Sequence, residues 1–172
     1  RKGRTALHRA CFNGHSDCVA TLATFKADLN KPCAEKGWTP LFYASQKGHP
    51  KCIEELVRHG ADLDLVDSQN NTALYIACLF AQRSCVASLL ANGAKANWGS
   101  EWYSPLWIAS KEGHRQCVQE FSRVSGVNLF PTAANPLIVA IAERNVSCVD
   151  DLLRLQPPQT HVFNALLAAV WF

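Results

Sequence analysis

Cysteine and histidine are the residues in this sequence whose types and spacing could do chemistry. Three pairs have the H-x-x-C separation typical of metal ligands: His15/Cys18, His49/Cys52 and His114/Cys117. Each pair lies in a separate part of the chain and lacks the two further ligands of a tetrahedral zinc site. We therefore predict no metal site and interpret these histidines as hydrogen-bonding turn residues.

Sequence motifs for catalysis are also absent. The sequence contains no phosphate-binding glycine loop, nucleophile elbow, H-E-x-x-H zinc motif or dinucleotide fingerprint. We predict that the chain is not an enzyme and that it requires no cofactor.

A motif recurs five times along the chain, at spacings that fall from 34 to 31 residues. Its copies begin at Thr5, Thr39, Thr72, Ser104 and Asn135. In each copy a Leu follows two residues later, an Ala follows that Leu by three residues, and a Cys-Val or Cys-Ile comes after a turn. Agreement at four positions in five registers identifies an internal repeat.

The motif resembles the Thr-Pro-Leu-His-x-Ala signature of ankyrin repeats, most closely in its first two copies. The resemblance covers essentially the whole chain. It implies an all-α solenoid of helix-turn-helix units with short β-hairpin-like fingers, in one domain over residues 1–172. We expect about five repeats and the start of a sixth, with approximate ranges 1–35, 36–68, 69–100, 101–131, 132–162 and 163–172.

Each part of the motif has a structural reason. Its first residue caps helix A by accepting a backbone N–H, and a Pro just inside the helix loses an N–H that has no helical partner. In the first, second and fourth copies a Gly-His pair breaks the chain before helix B. Ala81-Gln82 and Arg144-Asn145 replace that pair in the third and fifth copies, a change that we expect the fold to tolerate.

The cysteines follow the same period. Five of the eight occupy one position of helix B: Cys18, Cys52, Cys85, Cys117 and Cys148. Because stacked helices lie about 8–10 Å apart, beyond the reach of a disulfide, we interpret these residues as core thiols of a reducing, intracellular protein. Cys11 and Cys78 receive the same interpretation. Only Cys33, beside Pro32 in a finger, is expected to be exposed enough to react.

Binding is predicted where aromatic residues depart from the motif. Phe42, Tyr75 and Trp107 replace its His in three consecutive copies, and packing between helices is an equally good explanation for them. Large rings with a polar rim are typical of binding hot spots, so we predict a groove centred on repeats two to four, formed by the fingers and the exposed side of helix A. Its candidate residues are Arg4, Phe12, Trp38, Phe42, Gln46, Lys47, Asn71, Tyr75, Leu79, Phe80, Trp102, Tyr103, Trp107 and Lys111.

Composition narrows the class of partner. The net charge of +3 is too small to indicate a nucleic-acid binder, and no apolar run approaches the roughly 20 residues of a membrane helix. We therefore expect a protein or peptide partner, with no nucleic acid and no membrane, and a location in the cytoplasm or also the nucleus. Because the sequence contains no methionine, we expect it to be part of a longer protein.

Two stretches resemble the arrays of ankyrin-repeat and SOCS-box proteins. They are the segment 52–67 with the helix start that follows it at 72–75, and the helix start at 104–106. The resemblance implies the substrate-recognition part of a cullin-type ubiquitin ligase, with elongins and a cullin recruited through a C-terminal box outside these residues. A signalling scaffold or inhibitor module, and a regulatory segment of a larger enzyme or channel, are the alternatives.

Overall fold

Short helices stacked side by side in two layers form the array. A computed structural model describes residues 3–97, 104–124 and 135–155, together with Gln159 and Val162. The helices A in these residues are α1 (Ala6–Asn13), α3 (Pro40–Lys47), α5 (Ala73–Leu79), α7 (Pro105–Lys111) and α9 (Pro136–Ala142). The helices B are α2 (Ser16–Thr24), α4 (Pro50–Arg58), α6 (Arg83–Ala91), α8 (Arg115–Glu120) and α10 (Val146–Arg154).

Each helix packs against its own partner and against the equivalent helix of the next repeat. A turn of 3-10 helix at Phe121–Arg123 extends α8. Strand structure in the described residues consists of one isolated antiparallel bridge, between Val66 and Thr72 at the base of a finger. The predicted all-α repeat fold is confirmed, whereas the predicted start of a sixth repeat at 163–172 lies outside the described residues.

The N-termini of the helices A are capped largely as the sequence predicts. The Thr5, Thr72 and Ser104 hydroxyls each accept a hydrogen bond from the backbone N–H three residues later. The side chain of Asn135 accepts from the N–H of Leu137 at 2.9 Å. Thr39 differs, because its backbone is extended like that of the other caps but its side chain makes no capping hydrogen bond.

The turn that precedes each helix B is bonded to the preceding repeat. His49 Nε2 lies 3.3 Å from the carbonyl oxygen of Phe12, and His114 Nδ1 lies 2.9 Å from the carbonyl oxygen of Cys78. Both acceptors belong to the last turn of the preceding helix A. The prediction of hydrogen-bonding turn histidines is confirmed for these two residues.

In the two copies that lack the Gly-His pair, the residue in place of His also forms a hydrogen bond to the preceding repeat. Gln82 donates from Nε2 to the Gln46 carbonyl at 3.2 Å, and Asn145 donates from Nδ2 to the carbonyls of Ser110 and Lys111 at 2.9 and 2.7 Å. The residues before them, Ala81 and Arg144, adopt the left-handed conformation with φ of 56° and 58°, which costs roughly 1–2 kcal/mol outside glycine. The fold tolerates the replacements, as expected, because an amide supplies the same donor.

The cysteine predictions hold for the core positions and are wrong for two residues. Cys11, Cys52, Cys78, Cys85, Cys117 and Cys148 are buried. Cys18 is exposed, because no helix in the part of the chain that the structure describes stacks on α2 from its N-terminal side. Cys33 is only 2% exposed rather than reactive at the surface, because the finger folds over it and its Sγ lies 3.5 Å from the Tyr43 hydroxyl.

Ion pairs between successive helices B reinforce the stacking. Arg83 Nε of α6 lies 2.7 Å from Glu120 Oε1 of α8, and Arg115 Nε of α8 lies 2.7 Å from Asp151 Oδ2 of α10. The side chains of Glu120 and Asp151 are 3% and 5% exposed, so water has little access to either carboxylate. Gln119 donates a further hydrogen bond to Asp151 at 2.9 Å.

Replacement of Arg115 by methionine, which keeps the apolar stem, is expected to destabilise the array in a pH-dependent way. The hydrogen bond from Arg115 lowers the pKa of Asp151, against the opposing effect of burial. A carboxyl whose folded-state pKa is depressed stabilises the fold above its unfolded pKa of about 4 and loses that contribution as the pH falls through the folded-state value. The difference in Tm between wild type and Arg115→Met should therefore shrink when the pH is lowered from about 7 to about 3.

A matched control is Arg58→Met, which removes an ion pair with Glu55 within α4, where the Arg58 side chain is 66% exposed. Exposed pairs of this kind contribute little, so the control should change Tm only slightly at either pH. A Tm difference for Arg115→Met that stayed constant over the pH range would contradict the assigned role of the pair.

Among the described residues, no helix has both the length and the apolar character needed to cross a membrane. The same residues contain no group of three His, Cys, Asp or Glu side chains placed to hold a metal ion.

Candidate functional site

A cleft of about 660 Å³ lies between the fingers and the helices A of repeats two and three. Six predicted groove residues line it: Trp38, Gln46, Asn71, Tyr75, Leu79 and Phe80. They come from two fingers and two helices, so the stacking of repeats brings them together. The cleft is the centre of the candidate groove, which we define as the surface formed by the helices A and the fingers of the described repeats.

Hydrogen bonds between two fingers form one wall of the cleft. Trp38 Nε1 donates to Asp67 Oδ2 at 2.9 Å, and the backbone N–H of Ser68 donates to the Lys36 carbonyl at 3.1 Å. Asp67 also accepts from the backbone N–H groups of Gln69 and Asn71 at 2.8 and 2.9 Å. These bonds fix the spacing of the two fingers, and therefore the width of the cleft.

The opposite wall is apolar and comes from the end of α5. Ile76 is buried, Leu79 is partly buried and Phe80 is 44% exposed. Phe80 caps the helix through its backbone N–H, which donates to the Ile76 carbonyl at 3.1 Å. A ring held at a fixed helix end loses little conformational entropy when a partner covers it, which suits it to act as a binding anchor.

A second, smaller cleft of about 140 Å³ continues the groove into the first repeat. Arg4 and Phe12, two predicted residues, line it beside Tyr43. The ring of Phe12 meets Tyr43 edge-on at 6.1 Å, and Lys47 Nζ lies 4.6 Å from the centre of the Phe12 ring. Arg4 and Phe12 therefore both contact the Tyr43 ring, and Lys47 covers the Phe12 ring, at the neighbouring end of the groove.

A cluster of aromatic side chains connects the two clefts, because Trp38 of the larger cleft contacts Tyr43 of the smaller one. Trp38 stacks on Phe42 at 5.7 Å and meets Tyr43 edge-on at 5.3 Å. His8 bridges the first two repeats, because the backbone N–H of Thr5 donates to its Nδ1 at 3.0 Å and its Nε2 lies 3.0 Å from the Trp38 carbonyl oxygen. Burial lowers the pKa of His8, so the imidazole is neutral in this position.

The prediction that Phe42 faces the groove is wrong. Its side chain is 0% exposed because Trp38 stacks over it, so Phe42 supports the groove from beneath. Trp38 itself is 5% exposed and belongs mainly to the wall. Tyr75 and Trp107 remain partly exposed, and Lys111 Nζ lies 5.5 Å from the centre of the Trp107 ring. The predicted residues Trp102 and Tyr103 lie outside the described residues.

Tyr43, Cys52 and Cys117 are held in their protonated forms, whereas Cys33 is shifted in the opposite direction. Burial, with the hydrogen bond to Cys33, raises the pKa of Tyr43 to about 12, so the phenol is neutral. Burial raises the pKa of Cys52 and Cys117 to about 11, which keeps these thiols protonated near neutral pH. For Cys33, burial raises the pKa, but the Tyr43 hydroxyl and nearby backbone N–H groups outweigh it and lower the pKa overall. The arrangement is suited to binding by shape, rings and fixed charges.

Comparisons with known proteins agree with the repeat geometry. Family models described as "Ankyrin repeat" and "Ankyrin repeats (3 copies)" match residues 2–33 and 25–100. The chain belongs to the ankyrin-repeat family. Among solved structures, it is similar to the ankyrin repeat domain of human ASB11, with a TM-score of 0.76 and 30% sequence identity, covering 90% of this chain and 71% of that chain. The resemblance to ankyrin-repeat and SOCS-box arrays is thereby confirmed.

Ankyrin arrays are protein–protein interaction modules, and this chain is one. Sequence reasoning missed several residues that line the two clefts, among them Tyr43, Lys36 and Asp67. Tyr43 is the residue after Phe42 in the motif. The last three copies have Ile76, Ile108 and Val139 at that position, so a tyrosine at a mostly aliphatic position was the available signal. Lys36 and Asp67 act through contacts between two fingers, which no single copy of the motif shows.

Proposed function

We propose that this chain is the substrate-recognition array of a cullin-type ubiquitin ligase, and that its groove holds a segment of the protein to be ubiquitinated. The observation that carries the proposal is the cleft beside Phe80, an apolar and partly exposed anchor set between fingers of fixed spacing. The similarity to the ASB11 ankyrin repeat domain supports the ligase context.

The groove and the ligase assembly use different parts of the protein. Substrate would bind in the groove, whereas elongins and a cullin would bind a C-terminal box outside residues 1–172. The buried thiols of the core support a reducing compartment, and we propose the cytoplasm, or also the nucleus, as the location.

Affinity capture with the full-length protein tests both parts at once. Wild type should recover elongins, a cullin and at least one further protein that accumulates when the proteasome is inhibited. The Phe80→Asp variant should keep the elongins and the cullin but lose that further protein, because a carboxylate in the cleft opposes burial of an apolar anchor.

Recovery of neither elongins nor a cullin by wild type would count against the ligase role. In that case a partner that Phe80→Asp still loses would indicate a scaffold or inhibitor module with the same groove. A thermal unfolding measurement on residues 1–172 shows independently whether the Phe80→Asp variant folds.

A further inference from the structure

Two lysines of the groove lie over the faces of aromatic rings. Lys36 Nζ lies 4.6 Å from the Trp38 ring centre, and Lys47 Nζ lies 4.6 Å from the Phe12 ring centre. Within the part of the chain that the structure describes, neither lysine forms an ion pair, and Arg9, which lines the smaller cleft, forms none either. An ammonium placed on a ring face keeps its charge available to a third group.

The carboxylates of the groove do not cancel these charges. Asp67 is 8% exposed, and its two oxygens accept hydrogen bonds from the indole of Trp38 and from the backbone and side chain of Asn71. Glu35 lies 4.0 Å from Arg4. Lys36, Lys47 and Arg9 therefore remain as a positive rim beside the apolar wall.

The rim and the apolar anchor have a fixed spacing. Lys47 and Phe80 occupy equivalent positions in adjacent repeats, at the ends of α3 and α5, which pack side by side. Adjacent helices lie about 8–10 Å apart, and an extended peptide advances about 3.3 Å per residue. One repeat along the groove therefore corresponds to about three residues of an extended partner.

We propose that the groove selects an acidic peptide segment: an extended stretch of the partner with one large apolar residue in the cleft beside Phe80 and carboxylates about three and about six residues away on one side. The nearer carboxylate meets Lys47, and the farther one meets Arg9 in the smaller cleft of the first repeat. This inference rests on the proposed function, because it specifies the ligand of the same groove. Carboxylates over this rim gain charge-assisted hydrogen bonds and faster association.

Selection of random peptides on the immobilised chain, by display of a 12-residue library, tests the inference directly. Enriched peptides should carry Asp or Glu at the stated spacing from an aromatic or large aliphatic residue. Resynthesised peptides should bind about tenfold more weakly when those acids become Asn or Gln, and raised salt should weaken binding further.

Two lysines four positions apart offer a matched pair of variants. Lys47→Glu reverses a charge on the groove, whereas Lys51→Glu makes the same change in net charge on α4, where Lys51 is exposed and lines no part of the groove. Affinity for the enriched peptides should fall about tenfold in Lys47→Glu and stay within about twofold of wild type in Lys51→Glu.

The outcomes separate this inference from the proposed function. Enriched peptides that require Phe80 but lack carboxylates, or that bind Lys47→Glu as well as wild type, would overturn the acidic-segment inference and leave the groove's binding role standing. Failure to enrich any peptide dependent on Phe80 would overturn both. Tighter binding of a 20-nucleotide poly(U) probe than of any peptide, lost in Lys47→Glu, would assign the rim to nucleic acid and also overturn the inference.

Discussion

Replacement of Phe42 by alanine is expected to lower the free energy of unfolding by about 3–5 kcal/mol, the usual cost of removing a fully buried phenylalanine ring. The side chain is 0% exposed and packs beneath Trp38. Its loss leaves a cavity between the second repeat and its neighbours, and the stacked indole loses its support. Equilibrium denaturation in urea, followed by circular dichroism, measures the effect.

Phe25 is the matched control for this variant. It is the same residue type but is 82% exposed at the end of α2, so Phe25→Ala should change the unfolding free energy by no more than about 0.5 kcal/mol. A loss of less than about 1 kcal/mol in Phe42→Ala would contradict its assignment to the core and would return it to the groove surface.

Replacement of Phe80 by alanine is expected to reduce partner affinity at least about tenfold, or about 1.4 kcal/mol, while the array stays folded. Phe80 is the exposed aromatic residue of the cleft, and truncation removes apolar area that the partner would otherwise cover. Calorimetric titration with the captured partner, or with the tightest selected peptide, gives the affinity. Thermal unfolding checks that stability changes by less than about 1 kcal/mol.

Phe25→Ala serves here as well, since it removes the same ring from a surface outside the groove and should leave affinity unchanged. Equal affinities of Phe80→Ala and wild type would remove the cleft from the binding surface. In that event the groove would have to be sought around Tyr43 or along α7.

The repeat itself was predictable because it places the same residue types in the same registers five times. Hydroxyl caps, small alanines on one face of helix A and thiols on helix B follow directly from that period. Cys18 shows the limit of prediction from the repeat period. Cys18 shares a register with the buried Cys52, and only the place of Cys18 at the end of the described stack exposes it. A periodic pattern describes internal repeats well and terminal ones poorly.

The orientation of the rings could not be predicted in the same way. Phe42 and Tyr75 occupy one motif position, yet the first is buried and the second partly exposed. The difference arises in the fingers, where Trp38 is drawn over Phe42 by a hydrogen bond to Asp67, 29 residues away. A helix sequence contains no information about such a bond, so the motif predicts which repeats form the cleft but not which of their rings face it.

The side chains that link each turn to the preceding repeat give the array a direction. His49, Gln82, His114 and Asn145 all reach backwards, toward carbonyls of the repeat that was synthesised earlier. During translation each new repeat therefore meets acceptors that already exist, and assembly can follow the ribosome without waiting for later sequence. At these turn contacts truncation is correspondingly unequal: loss of the later repeat leaves helix-end carbonyls open to water, whereas loss of the earlier one strands a polar side chain of the repeat that follows.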